Sequence, residues 1–310
     1  MRLFRKSALL ASALLLSAPL MAQEAATPAA PPPAQPAVET RDADPAIWVV
    51  RDADTTIYLF GTMHLLRPGL SWFDEAIADA FNASSELVVE VNLDPARNAE
   101  VGPMMVAAAS NTTGTLTSRM SADQRTQYLA AMERLGVPYQ QLEGFDGWFV
   151  NLQFAIGLSQ RAGFDPANGA DQRLLAAART RGMTITGLET IEQQVGFFDA
   201  LPENEQFIGL LQIVNDIPAA VSVFERMGTS WASGNAEDTA ALLTETRAFA
   251  PEQHRIIFTD RNRRWADAIQ ARLAQPGTVF VAVGAGHLAG DDSVQAFLTQ
   301  RGLTVTRVAY

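Results

Sequence analysis

An α/β fold with a mainly parallel sheet and large helical insertions is what this 310-residue sequence predicts. Two observations lead there. Short β-branched runs alternate with helix-favouring stretches, the pattern that builds parallel sheets covered by helices. One arrangement also occurs twice: a buried-looking strand, a glycine, and a histidine three residues on. It is seen in Gly61-Thr62-Met63-His64 and again in Gly284-Ala285-Gly286-His287. The order strand, Gly-x-x-His turn, helix, strand therefore predicts a core made of repeated units.

Taken in order, residues 1–22 read as an export signal, with Arg2, Arg5 and Lys6, then apolar Ala8 to Leu16, then Ala22 at the cleavage position. That apolar stretch is too short to span a bilayer comfortably. Residues 23–44, centred on Pro31-Pro32-Pro33, read as a stiff solvated linker, and 45–310 as the α/β domain. Ile47 to Val50 and Thr55 to Phe60 flank the turn Arg51-Asp52-Ala53-Asp54 and predict a hairpin. After His64 comes the loop Arg67-Pro68-Gly69, then a helix capped by Ser71 with Asp74 at capping-box spacing. Glu86 to Val91 is a strand ended by Asp94-Pro95. Further on, Asp171 to Arg181 predicts a helix stopped by Gly182, and Met183 to Leu188 a strand ending at Glu189. Thr278 to Val283, Asp291 to Gln300, Gly302 and Leu303 to Val308 give strand, helix, stop and strand. The tracts at about 96–165 and 191–275 are helical insertions, expected to form a cap or wall over one sheet edge.

Composition removes several chemistries. With no cysteine there are no disulfides, thiol nucleophiles or lipid-modified N-terminal cysteine. Lys6 is the only lysine and belongs to the signal, so Schiff-base and phosphate-loop lysines are excluded. A net charge of −11 makes nucleic acid or an anionic membrane a poor partner. No later stretch reads as a membrane anchor, so the expected product is a soluble exported protein, most simply periplasmic. Nothing in the sequence sets an oligomeric state. His-Glu-x-x-His, Gly-x-Ser-x-Gly and Walker motifs are all missing.

In open parallel sheets the chemistry collects beyond the carboxyl ends of the strands. His64, Glu90, Glu189 and His287 are all expected there. Two imidazoles and a carboxylate are a workable set for a divalent ion such as Zn, Mn, Fe or Co. The ion would acidify a bound water and polarise a carbonyl, with a second carboxylate as general base. Glu90 stands out because Val88, Val89 and Val91 flank it, and a carboxylate buried there needs a partner. Simpler readings stand beside these. A histidine after a strand is often a hydrogen-bonded structural residue, and Glu189 suits a turn and helix cap. His254 reads as solvated, and the tryptophans at 48, 72, 148, 231 and 265 as core-edge packing.

Together these motifs resemble the TraB/PrgY/GumN family, most closely its exported GumN-like branch, from about Ile47 to the C-terminus. The carriers are the two Gly-x-x-His motifs, Glu90, Gly169-Ala170-Asp171, Leu188-Glu189-Thr190 and Arg261-Asn262. That family is distantly similar to the Tiki metalloproteases and looks related to erythromycin-esterase-like and haem-binding ChaN-type folds. The resemblance implies that His64, Glu90 and His287 line the site, with the expected ion (Mn, Co or Zn) held by those three. Glu189 or Asp171 would orient water or substrate, and Arg261 would stabilise developing charge or grip a substrate carboxylate. Arg263 and Arg264 adjoin Arg261, which leaves a plain solvated-face reading open for it. The expected function is a periplasmic metal-dependent hydrolase, a peptidase above all, acting on a peptide or small molecule. The alternatives are a protein that captures such a ligand without turnover, and an accessory factor in envelope polysaccharide handling.

Overall fold

A computed structural model describes residues 40–93 and 95–309. The expected signal, most of the linker and Asp94 lie outside the described residues. The last linker residues lie inside them. β1 (Arg41–Asp42) pairs in parallel with β4 (Leu70–Ser71), and Ala43 is buried. The folded unit thus begins before the expected boundary at 45.

The remaining strands are β2 (Ile47–Arg51), β3 (Thr55–Thr62), β5 (Glu86–Val91), β6 (Thr184–Glu189), β7 (Gly277–Gly284) and β8 (Val305–Arg307). They form one six-stranded sheet in the order β6-β5-β7-β3-β2-β8. The first four in that order run parallel, whereas β2 is antiparallel to both β3 and β8, so the sheet is mixed. The β2–β3 hairpin forms as expected, its turn closed by Asp52, whose Oδ1 accepts the Thr55 N–H at 2.9 Å.

Helices α1 (Glu75–Ala83) and α6 (Ala170–Arg181) cover one face, and α12 (Asp260–Leu273) and α13 (Val294–Gln300) the other. The period-2 alternation of the strands decides which residues meet which layer. Phe60, Leu87, Val89 and Phe280 pack with α1 and α6, while Leu59, Val88, Val279 and Val281 pack with α12 and α13. The two-faced arrangement follows from crossover hand. β3 to β5 and β5 to β6 step one way across the sheet, β6 to β7 and β7 to β8 the other. Since parallel crossovers are right-handed, opposite steps place their helices on opposite faces. The two Gly-x-x-His units therefore share an order of elements but diverge in placement.

The other helices are α2 (Asn98–Ala109), α3 (Leu116–Arg119), α4 (Ala122–Leu135), α5 (Gly147–Arg161), α7 (Ile191–Asp199), α8 (Glu203–Asn215), α9 (Ile217–Ala232), α10 (Ala236–Arg247) and α11 (Pro251–His254). Of these, α3, α4, α5, α8 and α9 gather around a second core that includes Tyr128, Val150, Phe207 and Phe224. A third cluster, with Val91, Trp148, Ile191 and Phe258, joins them to the sheet's carboxyl edge.

Three local expectations shift. Helix α12 falls within the tract assigned to the second insertion, yet it packs on the sheet. The cap of α1 is Asp74 and not Ser71, which sits in β4 and donates its hydroxyl to Asp74. α13 starts at Val294 after the Ser293 cap, three residues later than Asp291. No single helix among the described residues is long and apolar enough to cross a membrane.

Phe60 links the strands to the aromatic layer, its ring 5.6 Å from Trp72 and 5.7 Å from Phe280. Phe60→Ala should lower unfolding free energy by about 3–5 kcal/mol in urea titration.

Candidate active site

β3 and β7 are neighbours in register, Thr62 opposite Gly284, so both Gly-x-x-His turns leave the sheet at the same level. β5, on the other side of β7, delivers Glu90, and β6 beyond it delivers Glu189. The connections leaving β5 and β7 diverge toward opposite edges, and a ligand crevice forms at such a point in an open α/β sheet. Sequence positions far apart thus meet at one edge. Alternation along β5 points Glu90 to the side of Val88, the face that α12 covers.

The His64 side is built by close backbone approach. A Cβ on Gly169 would lie 2.2 Å from the His64 carbonyl oxygen, so only glycine fits. Ala170 N–H then donates to Met63 O at 2.9 Å, and the first turn of α6 brings Asp171 to the imidazole. Asp171 Oδ2 lies 2.7 Å from His64 Nδ1, while its Oδ1 accepts from Thr62 Oγ1 at 2.7 Å. With Nδ1 held by a carboxylate, Nε2 is the ring atom left to work. Burial opposes a charge on His64, but Asp171 and then Glu90 outweigh it and raise the pKa to about 9.

The opposite wall comes from α12, entered through a π-helical turn at Arg255–Thr259, a feature often found beside functional residues. Arg261 and Asn262 follow it, both buried. Asn262 Nδ2 donates to Asp292 O at 2.8 Å, which orients the amide so that Oδ1 accepts from His287 Nδ1 at 2.5 Å. The His287 proton is thereby assigned to Nδ1, and Nε2 accepts from Arg261 Nη1 at 3.2 Å. Burial and the nearby guanidinium depress the His287 pKa to about 3, so the ring is neutral.

Arg261 is a hub. Nε donates to Glu189, Nη2 to Glu90 at 2.8 Å and to Glu189 at 2.8 Å, and Nη1 to Ile257 O and His287. These contacts use all five guanidinium N–H groups. In this geometry Arg261 has no donor left for an oxyanion or substrate carboxylate, and it acts by positioning its neighbours. Glu90 also accepts the Gly284 N–H at 2.7 Å and Gln194 Nε2 at 3.1 Å. Burial works against the Glu90 charge, but Arg261 leads the groups that reverse this and take its pKa to about 2. Burial pushes the Glu189 carboxyl up, and the Arg261 fork only partly offsets it. Trp265 Nε1 donates to Glu189 at 3.0 Å, its ring 4.3 Å from His287.

One point shows how tightly these groups meet. A Cβ on Gly284 would sit 3.1 Å from Glu90 Oε1, 3.8 Å from His64 Nε2 and 3.6 Å from His287 Cδ2. The point lies in a cavity of about 80 Å³, closed by Phe164, Phe198, Phe224 and Phe258. Glu90 Oε1 suits a divalent ion as it stands, whereas His64, protonated at neutral pH, would bind one through Nε2 only on losing that proton; both imidazoles have Nδ1 tied to an acceptor in the manner of metal ligands. His287 Nε2 lies 3.8 Å from Glu90 Oε1 but faces Arg261, which would have to withdraw for that nitrogen to bind an ion. Among the described residues no three His, Asp or Glu side chains form a ready metal cluster.

The structure therefore brings His64, Glu90, His287 and Arg261 together around one cavity, with Asp171 behind His64 and Glu189 behind Arg261. Arg263 and Arg264 are about half exposed, the solvated-face reading that Arg261 escapes. His254 departs from its solvated reading: it is buried, its Nε2 2.9 Å from Asp292 Oδ2, and Asp292 also supplies the carbonyl that orients Asn262. The helix-start pattern hid this because α11 runs straight into the π turn. Trp72, Trp148, Trp231 and Trp265 are core residues and not edge packing. Gln194 was missed. The Thr190–Gln193 capping box marks the start of α7 and could have placed Gln194 on its inward side.

A family model described as the TraB/PrgY/gumN family matches residues 46–307. An uncharacterized protein of Treponema pallidum (strain Nichols) is 24% identical over 270 residues, spanning 83% of this chain and 80% of that protein. The uncharacterized protein YbaP of Escherichia coli (strain K12) is 21% identical over 257 residues, spanning 82% of this chain and 92% of its own. No solved structure matches the chain.

Arg261→Ala would strip Glu90 and Glu189 of their shared buried guanidinium, leaving Glu189 only the half-exposed Arg264 at 3.7 Å, and should destabilise the fold by about 3–5 kcal/mol, measured by denaturant unfolding. Metal-free protein should also show opposed pH limbs. His64, with its pKa raised to about 9, contributes stability that is complete below pH 6.5 and lost as pH rises through 9. His287, depressed to about 3, contributes stability present above pH 6.5 and lost as pH falls toward 3. His64→Asn should flatten the alkaline limb and leave the acid limb in place, as read by thermal melts across pH.

Proposed function

The chain belongs to the TraB/PrgY/gumN family, and on that premise we propose that it is an exported, periplasmic metal-dependent hydrolase acting on peptide bonds. The observation that supports this is the convergence of His64 Nε2, Glu90 Oε1 and the His287 ring around one point over Gly284. The finer likeness, to GumN-like exported proteins and to Tiki metalloproteases, supplies the peptidase expectation. The charged N-terminus followed by an apolar stretch supplies the export.

In this reading His64, Glu90 and His287 would hold a Mn, Co or Zn ion, which when bound supplies an acidified water and a polarised carbonyl. The chain's own residues do the rest. Asp171 keeps a proton on His64 Nδ1, so that Nε2 is the nitrogen that would give up its proton to an ion, and Asn262 keeps the His287 proton on Nδ1, leaving Nε2 as the acceptor that Arg261 occupies. Arg261 holds Glu90 ionised and partly offsets the burial that pushes Glu189 toward protonation. Gln194 Oε1, buried and without a partner among the described residues, is placed to accept an N–H from the amide or its leaving amine. The phenylalanine walls exclude bulk water and strengthen each of these interactions.

The full commitment of Arg261 favours a second reading, a binding protein without turnover, because no spare donor awaits a developing negative charge. The two are separated by elemental analysis of the purified mature protein and a peptide-library digest with Mn, Co and Zn added back singly. Hydrolysis should be metal-dependent, and His64→Ala and His287→Ala should each lower it at least ~100-fold with loss of bound metal and retention of fold. Undiminished activity in chelator-treated protein would refute the metal. Stoichiometric protection of a ligand, with no product over many equivalents, would favour the binding reading.

A further inference from the structure

We propose that a second cavity, opening from the site, receives a short uncharged side chain tipped by a hydroxyl or carboxamide. The proposal rests on the hydrolase reading and names its substrate class. The cavity measures about 50 Å³ and shares Leu65, Ser159, Phe198 and Phe224 with the site cavity. The two cavities therefore adjoin, and a side chain on a group bound over Gly284 would reach the second by passing these shared residues.

Its walls decide what enters. Leu152, Ala155 and Ile156 from α5, with Leu201 and Ile257, make most of the lining apolar, and no Asp, Glu, Arg or His contributes to it. A charged side chain would be desolvated there without a counterion, which is strongly unfavourable. Two wall residues carry buried polar atoms with no hydrogen-bond partner among the described residues: the donor Trp148 Nε1 and the acceptor Asn151 Oδ1. Trp148 is only 2% exposed. Buried groups of this kind are rarely left unpaired, so an orphaned donor and an orphaned acceptor in one cavity point to a ligand.

An uncharged lining that carries both an unpaired donor and an unpaired acceptor suits a group that both gives and takes a hydrogen bond. A hydroxyl does so, and so does a primary amide; a ketone or an ether does not. Gln206 is tied to the backbone: its Oε1 accepts the Trp148 backbone N–H at 3.0 Å and its Nε2 donates to Leu201 O at 2.7 Å. Those bonds fix the start of α5, the helix that carries Trp148 and Asn151. Volume sets the length. At ~10–15 Å³ per water-sized occupant, the space admits about four heavy atoms, the size of a threonine or asparagine side chain and well short of tyrosine.

The test uses the full mature protein and peptides varied at each position around the cleaved bond. Wild type should prefer Thr, Ser or Asn over the shape-matched Val or Leu at one position by ~10-fold, the discrimination expected when buried polar groups are otherwise left unpaired. Trp148→Phe, which keeps the ring against Phe149 and Phe198, and Asn151→Leu should each cut that preference to about twofold or less. Turnover of the Val or Leu peptide should stay within about threefold of wild type. An unchanged preference in both variants, or a charged residue favoured at that position by wild type, overturns the proposal. If no peptide is cleaved with any metal, the hydrolase reading fails by itself and the cavity is tested directly with acetamide by ligand-observed NMR. Binding to wild type that is lost in Trp148→Phe supports it, and no binding to wild type overturns it.

Discussion

One guanidinium shared between two buried carboxylates is the constraint on which this site turns. Glu90 and Glu189 end adjacent parallel strands, inside a layer that water does not reach. Either alone would be forced toward protonation or outward. Arg261 spans both and spends its remaining donors on a helix carbonyl and on His287. The same contacts that neutralise the carboxylates therefore set the ring orientation of an imidazole from a third strand. Ion pairs of this sort are weak sources of net stability against an apolar alternative, but breaking one is costly. That asymmetry fits a feature kept for what it positions and not for what it stabilises.

The two imidazoles are held in different ways, with different electrostatic results. His64 meets a carboxylate and gains proton affinity; His287 loses it to burial and to the Arg261 guanidinium. Environments that drive two similar side chains apart in pKa are a common mark of a working site, although structural networks do the same. Here the division has a clear source. One histidine packs against the N-terminal turn of α6, which brings Asp171, and the other against the π turn leading into α12, which brings Arg261 and Asn262.

Legibility from the chain varied with the range of the interaction. The strand-end residues could be read because each depends on a local pattern: Glu90 amid valines, Glu189 after a β-branched run, each histidine three residues past a glycine. Gly169 also had a signal, and its cause appeared only when the His64 carbonyl was found where its Cβ would be. Arg261 was ambiguous because Arg263 and Arg264 look identical to it locally. Helix phase separates them, burying the first and exposing the other two. His254 and Gln194 were obscured by the same limit. A helix start reads as polar whether its side faces water or a neighbouring helix, and a π turn that alters the phase has no composition of its own.

Local sequence by itself determined that strands would alternate with helices, that cysteine chemistry was absent, and that histidines and carboxylates would stand at strand exits. Those are short-range consequences of side-chain periodicity and composition. Strand order, the opposite stepping of the two Gly-x-x-His units, and the exhaustion of Arg261's donors were settled only by the tertiary structure. The physical reason is that register and crossover hand are chosen by burying both sheet faces at once. A charge network among residues up to about two hundred positions apart exists only after that choice has been made.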